Sequence, residues 1–277
     1  MKYSLCIATP EISQDIPFAQ LSGTFEQKID KARALGYQGV ELMVSDPRKL
    51  DAARIARTCN ERNLKIAAIS SGAIVTARGI SLLHQEPEKA QEASACLFDL
   101  IAFASEVGSP IVTIGSFRGR PGDHMSAQDA HRLLIDILRA AGAEAARKGI
   151  RIVLEPISAR ELNYLTTVEE VMAILEEVGS DHVGVLVDTY HVDKDGQSFE
   201  EVLGKTHEAG KLWHVHIADS TRQVVGKGSI DFSHVLAILR NLGYDGFMSA
   251  ELLHGADPDT TAHEILIGMH RASEANA

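Results

Sequence analysis

The chain has 277 residues, 45% of them hydrophobic and 23% charged, the balance of an ordinary globular protein able to bury a full core. Its formal net charge of -11 argues against sequence-independent nucleic-acid binding, which needs a basic surface to displace phosphate counterions. Three widely spaced cysteines, Cys6, Cys59 and Cys96, exclude a disulfide framework and point to reduced thiols in a cytoplasmic setting.

The first element, "YSLCIAT" (3–9), reads as a buried strand. The stretch around it has neither the long apolar core nor the small-residue cleavage site of a signal peptide. "SGTFEQKIDKARALG" follows, amphipathic at helical spacing, with a Ser/Thr cap candidate at its start and Gly36 at its end. Further short apolar runs occur at "GVELMV" (39–44), "KIAAIS" (65–70), "PIVTIGS" (110–116) and "IRIVLEP" (150–156). Three more are "VGVLVDT" (183–189), "LWHVHIA" (212–218) and "FMSAELL" (247–253). Their length and β-branched content favour buried strands over helices.

Helical stretches lie between them. "TTVEEVMAILEEVG" (166–179) opens on a Thr-x-x-Glu capping box and stops at Gly179, and "DFSHVLAILRNLG" (231–243) has the same grammar. No apolar run approaches the ~20 residues of a membrane span, and no linker divides the chain. Eight strand candidates, each followed by a helix candidate, predict parallel strands joined by right-handed crossovers. The expected fold is one α/β domain over residues 1–277, a (β/α)8 TIM barrel. A doubly wound open sheet would carry a glycine-rich phosphate turn after its first strand, and "ATPEISQD" is not one.

In such a barrel functional groups collect where the βα loops begin. The last four strand candidates each end in a potential metal ligand: Glu155, Asp188, His216 and Glu251, spaced 33, 28 and 35 residues apart. Four groups in phase on consecutive strands converge on one point above the barrel. Three carboxylates and one imidazole suit one divalent cation, with Mn²⁺ first and Mg²⁺, Co²⁺ or Zn²⁺ as alternatives.

"WHVHIADSTR" (213–222) adds to this. Strand alternation puts His214 and His216 on one face, with Trp213, Val215 and Ile217 packing outward against the helices. His216, nearer the mouth, is the ligand; His214 is a hydrogen-bonded interior residue. His191 in "DTYH", Arg222, and Glu161 six residues past Glu155 are candidates for holding a small polyol. "SFRGRPG" supplies Arg118 and Arg120 after the fourth strand, and either could pair with a substrate carboxylate. Loops 70–90 and 116–126 are expected to shape the pocket.

These elements resemble the xylose-isomerase-like barrels that include the ketose 3-epimerases. The matching stretches are "LEP" with Glu155, Glu161, "DTYH" (188–191), "HVHIADSTR" (214–222), "GKGSIDF" (226–232) and "SAEL" (249–252). "GYQGVEL", "SDPRKLD", "SSGAIVTARGISLLH" and "IGSFRGR" extend the resemblance over nearly the whole chain. It implies Glu155, Asp188, His216 and Glu251 as ligands of one Mn²⁺-like ion, with Glu155 and Glu251 doubling as acid/base catalysts. His191, Arg222 and Glu161 would touch substrate, 5-keto-L-gluconate being one implied by the likeness. A dimer or tetramer is the implied assembly. The chain departs at Ser158-Ala159-Arg160, where related epimerases usually carry Asn-Arg-aromatic.

A C–H beside a carbonyl is too weakly acidic for an unaided carboxylate, whereas a cation at the neighbouring oxygens stabilises a cis-enediolate by several kcal/mol. Glu155 and Glu251 could then remove and return the proton on opposite faces, inverting that carbon of a ketose or keto sugar acid. The same site could serve an aldose–ketose or hydroxypyruvate-type isomerase, or a polyol dehydratase. A trinuclear-zinc endonuclease would need histidines at the third and fourth strand ends, and "AAISSGAIV" and "VTIGSFRG" offer none. A non-catalytic barrel is disfavoured by the intact ligand set.

Overall fold

Alternating strands and amphipathic helices leave each strand apolar on the face that meets a helix, and the sheet curls until its edges meet. The computed structural model describes residues 1–123 and 125–275. Its strands are β1 (Lys2–Ala8), β2 (Gly39–Met43), β3 (Lys65–Ser70) and β4 (Ile111–Ile114). They continue with β5 (Arg151–Leu154), β6 (Val183–Asp188), β7 (Leu212–Ile217) and β8 (Phe247–Ala250). All neighbours pair in parallel and β8 returns to β1, closing a barrel in sequence order. The expected (β/α)8 architecture is therefore present.

The helices are α1 (Phe25–Leu35), α2 (Ala52–Glu61), α3 (Gly72–Arg78), α4 (Pro87–Val107) and α5 (Ala127–Lys148). After them come α6 (Val168–Val178), α7 (Thr189–Lys194), α8 (Phe199–Glu208), α9 (Phe232–Asn241) and α10 (Pro258–Glu274). Local chemistry sets their ends. Thr24 with Gln27 and Thr167 with Glu170 form reciprocal capping boxes, each satisfying two N–H groups that the first turn leaves free. The short helices α3 and α7 are extra turns in the loops at the C-terminal mouth.

Val183, Val185, Val215 and Ile217 pack outward into the main core shared with the helices, each side chain contributing roughly 1.5–3 kcal/mol of burial. Inside the barrel, Ala68, Ile111, Val153 and Leu186 form a separate apolar layer. Trp213 corrects the alternation read from the sequence. Between Val185 and Leu186 the β6–β7 register slips: Leu212 pairs with Val185 and His214 with Leu186, leaving Trp213 as an extra residue. Such a bulge re-aims side chains. Trp213 packs against the inner layer, its ring occupying the space a side chain at Gly184 would need and lying 4.8 Å from the Arg151 guanidinium.

Candidate metal centre and substrate pocket

β5 and β8 end one residue before Glu155 and Glu251, while Asp188 closes β6 and His216 is the penultimate residue of β7. Parallel strands with their ends in phase bring all four side chains to the mouth. One ligand atom from each lies within 4.8 Å of the others.

Three of these atoms are buried without a hydrogen-bond partner: Glu155 Oε1, Asp188 Oδ2 and His216 Nδ1. Buried polar atoms are normally satisfied, so three orphans facing one point form a donor set suited to a cation. The other Asp188 oxygen accepts from Tyr190 N at 2.7 Å, capping α7 and fixing the carboxylate plane. Gly115 leaves the room that the Glu155 carboxylate occupies, since a Cβ there would overlap Glu155 Oε2.

Without an ion the carboxylates repel one another in a dry site. Burial, and then the charge of Glu251, pushes Glu155 up to about 8. Burial likewise lifts Asp188 to about 6. Burial works against ionisation of Glu251 too, but His216 and Arg222 outweigh it and hold that carboxyl below its ordinary value.

Glu41, a site residue that the sequence reading missed, lies inside the barrel on β2 with no exposed surface. His214 Nε2 donates to its Oε2 at 2.8 Å, and His216 Nε2 lies 3.1 and 3.2 Å from its two oxygens. His214 is thus the hydrogen-bonded interior histidine expected. The available signal was a lone acid in an otherwise apolar buried strand. Burial opposes the Glu41 charge, yet the two imidazoles hold the carboxyl well below its usual range.

Around this centre, His191 Nε2 lies 3.8 Å from Glu155 Oε1, and burial followed by Arg222 lowers its imidazole to about 3. It is a neutral hydrogen-bonding group at ordinary pH. Arg222 Nη1 donates to both oxygens of Glu161 at 2.8 Å, and Nη2 lies 3.8 Å from Glu251 Oε2. Its guanidinium is sandwiched 4.5 Å from the Phe18 ring and 4.8 Å from that of Tyr190. Arg222 itself sits at φ 58, in a turn where its N–H donates to the Asp219 carbonyl at 2.7 Å. The buried Asp219 carboxylate shapes that loop by accepting from Ser220, Gly226 and Ile230 N–H groups.

The structure does not bring Arg118 to this point, which corrects the expectation of a substrate contact. Its side chain is fully buried and donates to the carbonyls of Gly115, Glu155, Tyr164 and Leu165 at 2.8–2.9 Å. Four acceptors consume both terminal nitrogens, and the remaining Nε is buried without a partner. Arg160 is exposed, and Ser158 instead turns to Asp195, donating to Oδ1 at 2.7 Å.

A cavity of about 310 Å³ is lined by Glu155 and Glu251 of the four, together with Glu161, His191 and Arg222. Ser70, Thr113 and Ser116 line one wall, and the loop after β1 supplies an apolar wall of Ile16, Pro17 and Phe18. Loops 70–90 and 116–126 both contribute, as expected (residue 124 lies outside the described residues), whereas the β1 loop was not foreseen. Wider grooves of about 630 and 460 Å³ lie elsewhere and include none of the four ligands.

The profile of the xylose isomerase-like TIM barrel family matches residues 29–269. An L-ribulose 3-epimerase of Mesorhizobium japonicum is 25% identical over 238 residues, 82% of this chain and 74% of that one. A hydroxypyruvate isomerase of Escherichia coli is 22% identical over 231 residues, covering 82% and 87%. Among solved structures, a D-allulose 3-epimerase from Methylomonas sp. superposes with a TM-score of 0.77 at 21% identity over 98% of both chains, which shows the shared fold. The chain belongs to the xylose isomerase-like TIM barrel family.

Proposed function

We propose that this protein is a sugar epimerase that inverts the carbon beside the carbonyl of a ketose or keto sugar acid, 5-keto-L-gluconate among the candidates. The observation that carries this is the convergence of Glu155, Asp188, His216 and Glu251, three of them presenting orphaned buried atoms. A divalent ion held by these four, with Mn²⁺ favoured by the oxygen-rich set, would stabilise negative charge on the substrate's carbonyl and hydroxyl oxygens.

The chain's own residues divide the rest of the work. Glu155 and Glu251 leave strands separated by β6 and β7, so they approach the cavity from different sides. Each carboxyl is suited to take or return a proton on its own side of the substrate, as inversion requires. His191, neutral and buried, is placed to hydrogen-bond a sugar hydroxyl. Arg222, fixed by Glu161 and two rings, offers its remaining edge to a substrate oxygen. The apolar wall around Phe18 excludes water from the reacting carbon. Three buried free cysteines support a reducing, cytoplasmic setting, and a dimer or tetramer is the proposed assembly.

The test is a Mn²⁺-supplemented screen of ketopentoses, ketohexoses and 5-keto-hexonates in D₂O, read by proton NMR with Glu251→Gln as control. Epimerisation labels the inverted carbon and leaves the carbonyl in place. A carbonyl that moves to the neighbouring carbon would identify an isomerase, and loss of water a dehydratase. Full turnover by Glu251→Gln would refute the acid/base assignment.

A further inference from the structure

We infer that Glu41 is a positioning residue that sets the tautomer and direction of His216 and thereby determines how tightly the centre holds its cation. The inference rests on the metal reading above and concerns a residue outside the ligand set. A carboxylate with no exposed surface is costly to bury unless hydrogen bonds compensate it. Its hydrogen-bond partners are the imidazoles of His214 and His216.

The geometry assigns the work. His216 has two ring nitrogens: Nε2 lies against both Glu41 oxygens at 3.1 and 3.2 Å. Nδ1 lies 3.6 Å from Glu251 Oε2 and 3.9 Å from Glu155 Oε1, without a hydrogen-bond partner. A neutral imidazole carries one N–H. An ionised carboxylate can only accept, so that hydrogen belongs on Nε2 and the lone pair on Nδ1 faces the other ligands. The adjacent negative charge also raises the basicity of the ligating nitrogen.

His214 braces the arrangement. Its Nε2 donates to Glu41 Oε2 at 2.8 Å, and its ring meets that of His216 edge to face at 5.3 Å. Backbone irregularities flank both ends of this strut. The β2–β3 register slips between Val40 and Glu41, and the β6–β7 register slips immediately before His214. β2 and β7 are separated by β1 and β8, so side chains alone make this cross-barrel link.

Glutamine at 41 matches the volume but presents one acceptor and one amide donor. Two imidazoles then compete for a single oxygen, and the NH₂ forces one to accept at Nε2. If that ring is His216, its N–H moves to Nδ1, where a cation needs the lone pair.

Mn²⁺ titrated calorimetrically into EDTA-stripped protein tests the inference, with Co²⁺ visible absorption as a spectroscopic check. Glu41→Gln is expected to weaken Mn²⁺ binding about 10- to 100-fold and to alter the Co²⁺ bands. At saturating metal, KM for the turned-over sugar should stay near the wild-type value. Glu41→Asp keeps the charge but withdraws it by one methylene, and should also weaken binding; it serves if the glutamine variant does not fold. Either folded variant binding Mn²⁺ within twofold of wild type would overturn the inference, even if its melting temperature fell. Wild-type protein that takes up neither Mn²⁺ nor Co²⁺ would overturn the metal reading, and this inference with it.

Discussion

Arg118 Nη1 donates to the carbonyl oxygen of Glu155 at 2.8 Å, so the arginine grips the main chain of a candidate ligand rather than a substrate. Its Nη2 holds the carbonyls of Tyr164 and Leu165, at the far end of the loop that carries Glu161. One guanidinium therefore closes both ends of that loop. Arg118→Met should destabilise the fold by about 3 kcal/mol or more, because buried carbonyls lose charged donors. Urea unfolding measures this. For whichever substrates are turned over, kcat/KM should fall by similar factors for neutral ketoses and keto sugar acids. A KM rise confined to the acids would show that Arg118 meets the substrate after all.

Gly115 offers a cleaner perturbation of the same ligand. A Cβ at this position would overlap Glu155 Oε2. Gly115→Ala should still fold, with a Tm at or below the wild-type value, because the added methyl must push a buried carboxylate aside. Its Mn²⁺ affinity should drop about tenfold or more as the carboxylate is displaced. Calorimetry beside a thermal melt separates the two effects, and wild-type affinity would count against the placement of Glu155.

Arg222 is held by shape as much as by charge. Arg222→Lys keeps the charge but cannot stack a planar cation between Phe18 and Tyr190. KM should rise about tenfold, a loss of roughly 1.4 kcal/mol, with Mn²⁺ affinity near wild type. Steady-state kinetics with a metal titration checks this; an unchanged KM would remove Arg222 from substrate binding.

Stability of the metal-stripped protein should fall between about pH 6.5 and 8. In that window Glu155, raised to about 8, and His216, raised well above its ordinary value, keep protons that the unfolded chain has released. The native state then binds more protons, and stability decreases as pH rises. His191 and His214 are shifted downward and oppose this only below their unfolded value near 6.5. Thermal melts in EDTA should show the decline, Glu155→Gln should lessen it while leaving the His216 part, and Mn²⁺ should reverse it by displacing the protons. A flat melting profile for the stripped wild type would contradict the repulsion inferred here.

Local grammar determined much of this protein. Each apolar run marked a strand because a buried parallel strand must be apolar on both faces, and Thr24, Thr167, Gly36 and Gly179 marked helix ends because unpaired backbone groups need caps. Glu155, Asp188, His216 and Glu251 were legible because closure of a parallel barrel brings strand ends together wherever the loops wander. Tertiary structure alone decided the rest. Glu41 meets His214 and His216 across more than 170 residues, a pairing that depends on barrel diameter and stagger. Trp213 turned inward because a one-residue slip reverses the alternation, and sequence periodicity does not encode where a slip falls. Arg118 turned away from the cavity because two loops gather four carbonyls beside it, and the direction of a long side chain follows such hydrogen-bonding partners, which come together only once the loops are packed.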